Sequence, residues 1–144
     1  MEWVADYIKI PFQEHGRNHE GVDCWGLGRL IYREQLLENL PSYATCYDTT
    51  RNGPRLATLI EDNRADWFEV EAGSEQEFDA VLVRMRSRPI HIGFVVKPGL
   101  LIHAQEGVGV ALEQYHNFKF EKRIIGFFRH SSMRFYKAGP AIDE

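Results

Sequence analysis

The first half of the chain carries apolar residues near helical spacing. After residue 23 they recur at Leu27, Leu30, Ile31 and Leu37. Asp23 precedes this set and is a good N-cap, because a carboxylate accepts hydrogen bonds from the first turn of a helix. The spacing therefore predicts a helix of roughly 12–15 residues that begins at Asp23 or Cys24. Asn39 and Pro41 mark its end.

Two shorter helical segments are expected on either side of this helix. The first covers residues 4–8 and is stopped by Pro11, because the residue before a proline disfavours helical torsions. Residues 41–66 have a mixed pattern. Within them, Asn-Gly-Pro at residues 52–54 predicts a turn, and the apolar positions of residues 56–60 predict a second helix.

The second half of the chain alternates between apolar and polar residues, which is typical of β-strands. Strands are expected at residues 81–85, 90–96, 100–105, 108–112 and 123–128. Lys-Pro-Gly at residues 97–99 and Glu-Gly at residues 106–107 supply turns between them. Helices followed by an antiparallel meander predict the α+β class.

Composition limits the protein to one globular domain. The chain has 144 residues, 44% of them hydrophobic and 26% charged, and its net charge is -4. The mixed, slightly acidic surface argues against nucleic-acid binding and against capture by an anionic membrane. No basic apolar leader begins the chain and no apolar run approaches the ~18–20 residues of a membrane span, so no membrane insertion is expected. Two cysteines are too few for a disulfide framework.

Cys24 is the candidate nucleophile. It falls in the first turn of the predicted helix, where unpaired backbone N–H groups and the helix dipole stabilise a thiolate. Leu27 and Ile31 lie three and seven positions later, so the thiol shares their face and is expected to face the strands. A small buried apolar residue is the ordinary alternative for a lone cysteine.

His91 and His103 are the candidate partners of this thiol. They are 12 positions apart, on two strands joined by the turn at residues 97–99, so the rings are expected on neighbouring strands within about two residues of register. Gly93 leaves space on the same face as His91. A thiol, a histidine that takes its proton and a second polar group that orients that histidine form the nucleophile, base and orienter of cysteine peptidases. The backbone N–H of Cys24 is a candidate oxyanion donor.

These motifs together resemble the NlpC family of papain-like cell-wall peptidases. The matching segments are residues 7–12, Gly-Val-Asp-Cys-Trp-Gly-Leu at 21–27, residues 78–83, His-Ile-Gly-Phe-Val-Val at 91–96, His-Ala at 103–104, residues 106–110 and residues 125–129. The resemblance covers residues 2 to about 130, and the stretch of about 131–144 is expected to be a C-terminal extension of a single domain 1–144. Its order of motifs is similar to the short, stand-alone branch found among the tail-tip genes of phages, prophages and gene-transfer particles.

The resemblance implies a fold and a set of roles. The fold would be papain-like α+β, with N-terminal helices packed on an antiparallel sheet. Cys24 would be the nucleophile, His91 the general base and then acid, and His103 the residue that holds the His91 ring. Asp23 would bind the free amine of a stem peptide. The reaction would be hydrolysis of the D-glutamyl to diaminopimelate bond of peptidoglycan through a thioester, with no metal and no cofactor.

The resemblance also implies partners and a location. Such a protein would be made in the host cytoplasm, held by tail-tip or hub proteins of a virion, and carried to the bacterial wall. Its absence of a leader agrees with that route. The alternative is a catalytically silent structural or assembly component of the tail tip. Two departures motivate it. Phe12 stands where many members have Tyr, and Trp25 stands where many have Ser and is expected to crowd or reshape the pocket.

A metal site is a third hypothesis. His15 and His19 are four positions apart and precede Cys24, a set of residue types that binds zinc. The segment between the two histidines reads as a loop, and no HExxH-type arrangement is present.

Overall fold

The computed structural model describes residues 2–41, 66–85 and 88–133. The turn expected at residues 52–54, the second helix at 56–60, and all of the expected extension except residues 131–133 lie outside this part. The elements, in chain order, are a 3₁₀ helix Glu2–Asp6, β1 Arg17–Asn18, β2 Gly21–Val22, α1 Cys24–Leu36, β3 Trp67–Val70, β4 Ala80–Met85, β5 Arg88–Lys97, β6 Leu100–Gln105, β7 Gly109–Gln114, α2 Phe118–Glu121, β8 Ile124–His130 and a 3₁₀ helix Ser131–Met133.

Helix α1 confirms the helix predicted from the apolar spacing. It runs for 13 residues and begins at Cys24, with the Asp23 side chain accepting a hydrogen bond from the Gly26 N–H. It ends before Asn39, because Leu37 adopts a left-handed conformation with φ of 55°. Leu37 is 88% exposed and so does not belong to the buried face of the helix. No helix in the described ranges is long and apolar enough to span a membrane.

The first segment differs from the helix expected over residues 4–8. A 3₁₀ helix covers Glu2–Asp6, and residues 7–9 then form a turn in which Lys9 has a φ of 74°. The reason is a backbone pairing with β7: the Lys9 N–H donates to the Val110 carbonyl, and the Val110 N–H donates to the Ile10 carbonyl. These bonds use the backbone groups that a continued helix would have needed.

The large sheet has six antiparallel strands in the order β3-β8-β4-β5-β6-β7. The predicted meander is confirmed for β4 to β7, and with α1 it confirms the α+β class. Two features were not predicted. β3 was not identified, and β8 does not follow β7 in space but returns to lie between β3 and β4.

Helix α1 covers one face of this sheet. A Cβ built on Gly28 would lie 2.2 Å from Cζ of Phe94, so the helix backbone lies directly on a ring of β5. Buried residues of α1 form one core cluster with Ile92, Phe94 and Ile102. Val95 follows Phe94 and therefore points to the opposite face of the sheet. It belongs to a second core cluster. The main core therefore lies between α1 and the middle strands of the sheet.

Candidate active site

The two predicted histidines meet on neighbouring strands. Phe94 pairs with Ile102, so His103 lies opposite Gly93 and two residues from the position opposite His91. Nε2 of His91 and Nδ1 of His103 are 2.9 Å apart, at hydrogen-bond distance. The predicted adjacency and register are thus confirmed.

The histidine pair is almost completely buried. The exposed fraction is 3% for His91 and 1% for His103. The space beside Gly93 is filled by β6, because a Cβ on Gly93 would lie 3.3 Å from Cβ of His103 and 3.2 Å from the Ile102 carbonyl oxygen. A side chain here would push the strands apart and separate the rings.

Cys24 is the first residue of α1 and is 2% exposed. It belongs to the core cluster between α1 and the sheet, which also contains Ile92 and Ala104. Cys24 also precedes Gly28 by four positions, so both lie on the helix face that packs on β5. The prediction that this residue faces the strands is confirmed.

Asp23 fixes the start of the helix. Its Oδ1 accepts hydrogen bonds from the Gly26 N–H and from Nη1 of Arg17, each at 2.7 Å, and its Oδ2 accepts one from the His15 N–H at 2.9 Å. The carboxylate is fully buried, and the adjacent guanidinium compensates its charge. Asp23 therefore holds the backbone that precedes the thiol, and its contact with a substrate amine stays a prediction.

Burial controls the charge of His103. It lowers the pKa of His103 to about 4, because an imidazolium there would lose its hydration. His103 is therefore neutral at pH 7. Since Nε2 of His91 is engaged with His103, Nδ1 of His91 is the ring nitrogen with which that residue can take a proton from a thiol.

Of the two residues that differ from the motifs, Trp25 lies in the first turn of α1 and Phe12 precedes the helix. Trp25 is fully buried, its indole N–H donates to the Pro41 carbonyl at 2.9 Å, and its ring lies 6.2 Å from that of Trp67. The ring thus contributes to the core, and its effect on the shape of a substrate pocket stays a prediction. Phe12 is half-buried and forms a backbone bridge with Val22.

The residues of the proposed metal site have other contacts. Nε2 of His19 lies 3.0 Å from Glu34 on α1 and its ring stacks on Tyr7, while His15 is exposed. Among the described residues, no group of three or more histidine, cysteine or acidic side chains is placed to hold a metal ion.

One residue near the site was missed by sequence reasoning. Oε1 of Glu113 on β7 lies 3.9 Å from Nε2 of His103. Leu101 pairs with Glu113 and His103 pairs with Ala111, so Glu113 shares the sheet face of His103. The alternation within residues 109–114 contains this information, but only once the register of β6 and β7 is known.

This geometry defines a class: an α+β domain with a buried cysteine at a helix start and two hydrogen-bonded histidines on neighbouring strands of its sheet. The chain belongs to the NlpC/P60 family, whose model matches residues 9–129. Members of that family are typically cysteine peptidases or peptidoglycan hydrolases.

Three solved structures share the fold. A protein similar to a lipoprotein of the NLP/P60 family from Staphylococcus aureus has a TM-score of 0.60 and 16% identity, over 90% of this chain and 39% of that one. An NlpC/P60 family protein from Bacillus cereus has a TM-score of 0.60 and 17% identity, over 86% and 36%. The NlpC/p60 domain of the peptidoglycan hydrolase SagA has a TM-score of 0.56 and 19% identity, over 87% and 92%.

The chain thus spans under two fifths of the length of the first two structures. A comparison with curated protein sequences gave no significant match.

Proposed function

We propose that the protein is a cysteine endopeptidase that hydrolyses amide bonds in the stem peptides of peptidoglycan. The observation that carries the proposal is the buried His91–His103 hydrogen bond, in a domain whose longest described helix begins with the buried Cys24. A buried imidazole pair has little structural value, because an apolar pair of similar size would fill the same space without the cost of desolvation. Proton transfer gives such a pair a use.

The first half of the reaction forms a thioester. Cys24 transfers its thiol proton to Nδ1 of His91, and the thiolate attacks the carbonyl carbon of the scissile amide. The oxygen then carries negative charge, and backbone N–H groups at the start of α1 donate hydrogen bonds to it. When the C–N bond breaks, the proton on His91 passes to the leaving amine, and the acyl group remains on Sγ of Cys24.

The second half restores the enzyme. A water molecule gives a proton to Nδ1 of His91 and its oxygen attacks the thioester carbonyl. The C–S bond breaks, the acid product leaves, and the sulfur takes the proton back from His91. His103, which stays neutral through the cycle, accepts a hydrogen bond from His91 and keeps the ring in one orientation.

Family membership and the sequence motifs support the substrate and the setting. One structural neighbour carries the name of a peptidoglycan hydrolase, and the NlpC-like motifs favour the D-glutamyl to diaminopimelate bond. We place the protein at the tip of a phage-like tail, after synthesis in the host cytoplasm, on the resemblance of its motif order to the stand-alone branch. In that setting, the local concentration at the wall comes from attachment to tail-tip proteins rather than from charge.

Mass spectrometry of the digestion products tests this proposal. The reduced protein and its Cys24→Ala variant are incubated with defined stem peptides and with intact sacculi. We expect cleavage by the wild type and none by the variant, with fragment masses that identify the bond. A folded wild type that leaves both substrates intact would favour a catalytically silent tail component instead. The second cysteine of the chain is Cys46, so Cys46→Ala serves as the matched thiol control and is expected to cleave normally.

A further inference from the structure

Glu113 lies at the outer side of the histidine pair. Its Oε1 is 3.9 Å from Nε2 of His103, and its side chain is 40% exposed, against 1% for that of His103. The order across the sheet is therefore His91 on β5, His103 on β6 and Glu113 on β7. The Glu113 side chain is thus partly exposed to solvent, whereas the two rings are buried.

Nε2 of His103 is a buried polar atom with no hydrogen-bond partner among the described residues. Leaving such a group unsatisfied costs about 1–3 kcal/mol. Nδ1 of the same ring is engaged with His91. The Glu113 carboxylate lies 3.9 Å from this nitrogen, and its side chain is 40% exposed, so a hydrogen bond requires the two atoms to come about 1 Å closer.

The reaction requires one tautomer of His103. A neutral imidazole carries one N–H, and the other nitrogen is an acceptor. When His91 is protonated, its Nε2 is a donor, so Nδ1 of His103 must be the acceptor. The proton of His103 must then be on Nε2, the nitrogen that points towards Glu113. With the opposite tautomer, two N–H groups would face each other across 2.9 Å.

We propose that Glu113 is a positioning residue that accepts a hydrogen bond from Nε2 of His103 and so fixes the tautomer that His91 needs. The role in catalysis rests on the proposed peptidase function, whereas the tautomer of His103 does not. Glu113 acts through His103 and touches neither the thiol nor the substrate. The buried ring remains neutral beside the carboxylate, in agreement with the lowered pKa of His103.

Two readouts on matched variants test the proposal. The first is nitrogen-15 NMR of the imidazole rings, which distinguishes a protonated from an unprotonated ring nitrogen, with signals assigned by His91→Asn and His103→Asn. The second is steady-state kinetics on a stem peptide. Glu113→Ala removes the acceptor and Glu113→Gln keeps an acceptor oxygen. Glu121→Ala is the control, because Glu121 lies 3.9 Å from Nδ1 of His116 in a pair that is exposed on both sides.

In the wild type we expect the His103 proton on Nε2. Glu113→Ala should move a measurable fraction of it to Nδ1 and lower kcat about 10-fold with KM unchanged. Glu113→Gln should retain the tautomer and stay within about twofold of the wild-type kcat, and Glu121→Ala should match the wild type. A purely structural role would lower stability in both Glu113 variants without moving the proton.

The outcomes separate the two proposals. A His103 proton on Nδ1 in the wild type, or an unchanged tautomer in a folded Glu113→Ala variant, overturns the role of Glu113 even if the protein is an active peptidase. A tautomer that depends on Glu113 in a protein that cleaves no peptide supports the role of Glu113 and contradicts the peptidase function.

Discussion

Two histidine sites in this molecule differ in their surroundings. His19 pairs with Glu34 at 3.0 Å, and the two side chains are 47% and 35% exposed. His91 pairs with His103 at 2.9 Å, and both are almost fully buried. The surface histidine has a carboxylate as its partner, and the buried one has a second imidazole. Under the proposed function, His91 becomes charged only when the thiol of Cys24 gives it a proton, whereas His19 has a carboxylate partner throughout.

The surface site is stabilised by charge and by hydrogen bonds. Burial alone would raise the pKa of Glu34, but hydrogen bonds from Tyr7 and His19 outweigh it, and the pKa is lowered. The Tyr7 hydroxyl donates to Glu34 at 2.7 Å and accepts from the Gln35 amide. These contacts attach the N-terminal segment to the outer side of α1, where they contribute to stability rather than to chemistry.

The strongest test of this contrast removes one histidine from each site. We expect His91→Ala to lower the rate of stem-peptide cleavage about 1000-fold, the upper range for loss of a general base. His19→Ala should stay within about twofold, because an exposed pair contributes little. Chromatography of the cleaved stem peptide gives the cleavage rate of each variant. Equal losses in the two variants would show that the contrast between the sites has no functional meaning.

Acid should lower the free energy of unfolding through the buried His103. The pKa of His103 is about 4 in the fold and 6.5 ordinarily, so below pH 6.5 the unfolded chain takes up a proton that the folded chain does not. Stability is complete above that pH and is lost as the pH falls towards 4, on the order of 3 kcal/mol. The lowered pKa of Glu34 also contributes stability, and that contribution is lost only as the pH falls below the ordinary Glu34 pKa of 4.5.

Urea unfolding of the wild type and of His103→Gln at pH 7 and pH 5 measures this effect. The wild type should lose more stability over that interval than the variant, because glutamine does not titrate. The same slope in both proteins would contradict the assignment of the acid sensitivity to His103.

Gly28→Ala tests the contact that holds α1 on the sheet. The new methyl group would lie 2.2 Å from Phe94, so the helix must shift, at a cost of about 1–3 kcal/mol. Cleavage should fall with the shift, whereas the His19–Glu34 pair on the outer side of α1 should be retained. Thermal unfolding measures the loss of stability, and stem-peptide cleavage rates measure the loss of activity. Arg33→Ala, at an exposed position of the same helix, is the control. Unchanged rates and stability would mean that the packing is looser than described.

The smallest expected effect comes from Tyr7→Phe. It removes the hydroxyl that donates to Glu34 and accepts from Gln35, a loss of about 1 kcal/mol. Cleavage should be unchanged, because this contact lies at the surface site. A large loss of activity at full stability would instead connect Tyr7 to the chemistry.

The sequence predicted the features that depend on residues close together in the chain. Asp23 and the apolar spacing after it predicted α1, because capping and helix periodicity act within a few residues. The short turn at residues 97–99 predicted the approach of His91 and His103. The position of β8 between β3 and β4 depends on pairing across more than 40 residues, as between Val81 and Phe127, and no local pattern carries it. Glu113 was missed for the same reason, since only the register of β6 and β7 brings it to His103.

The most direct test of the central claim is the alkylation rate of Cys24 by iodoacetamide, followed by peptide mass at pH 7. If His91 takes the thiol proton, the wild type and His19→Ala should react at the same rate. His91→Ala should react at least about 10-fold more slowly. Equal rates in all three proteins would contradict the account, because the thiol would then be independent of the buried histidine pair.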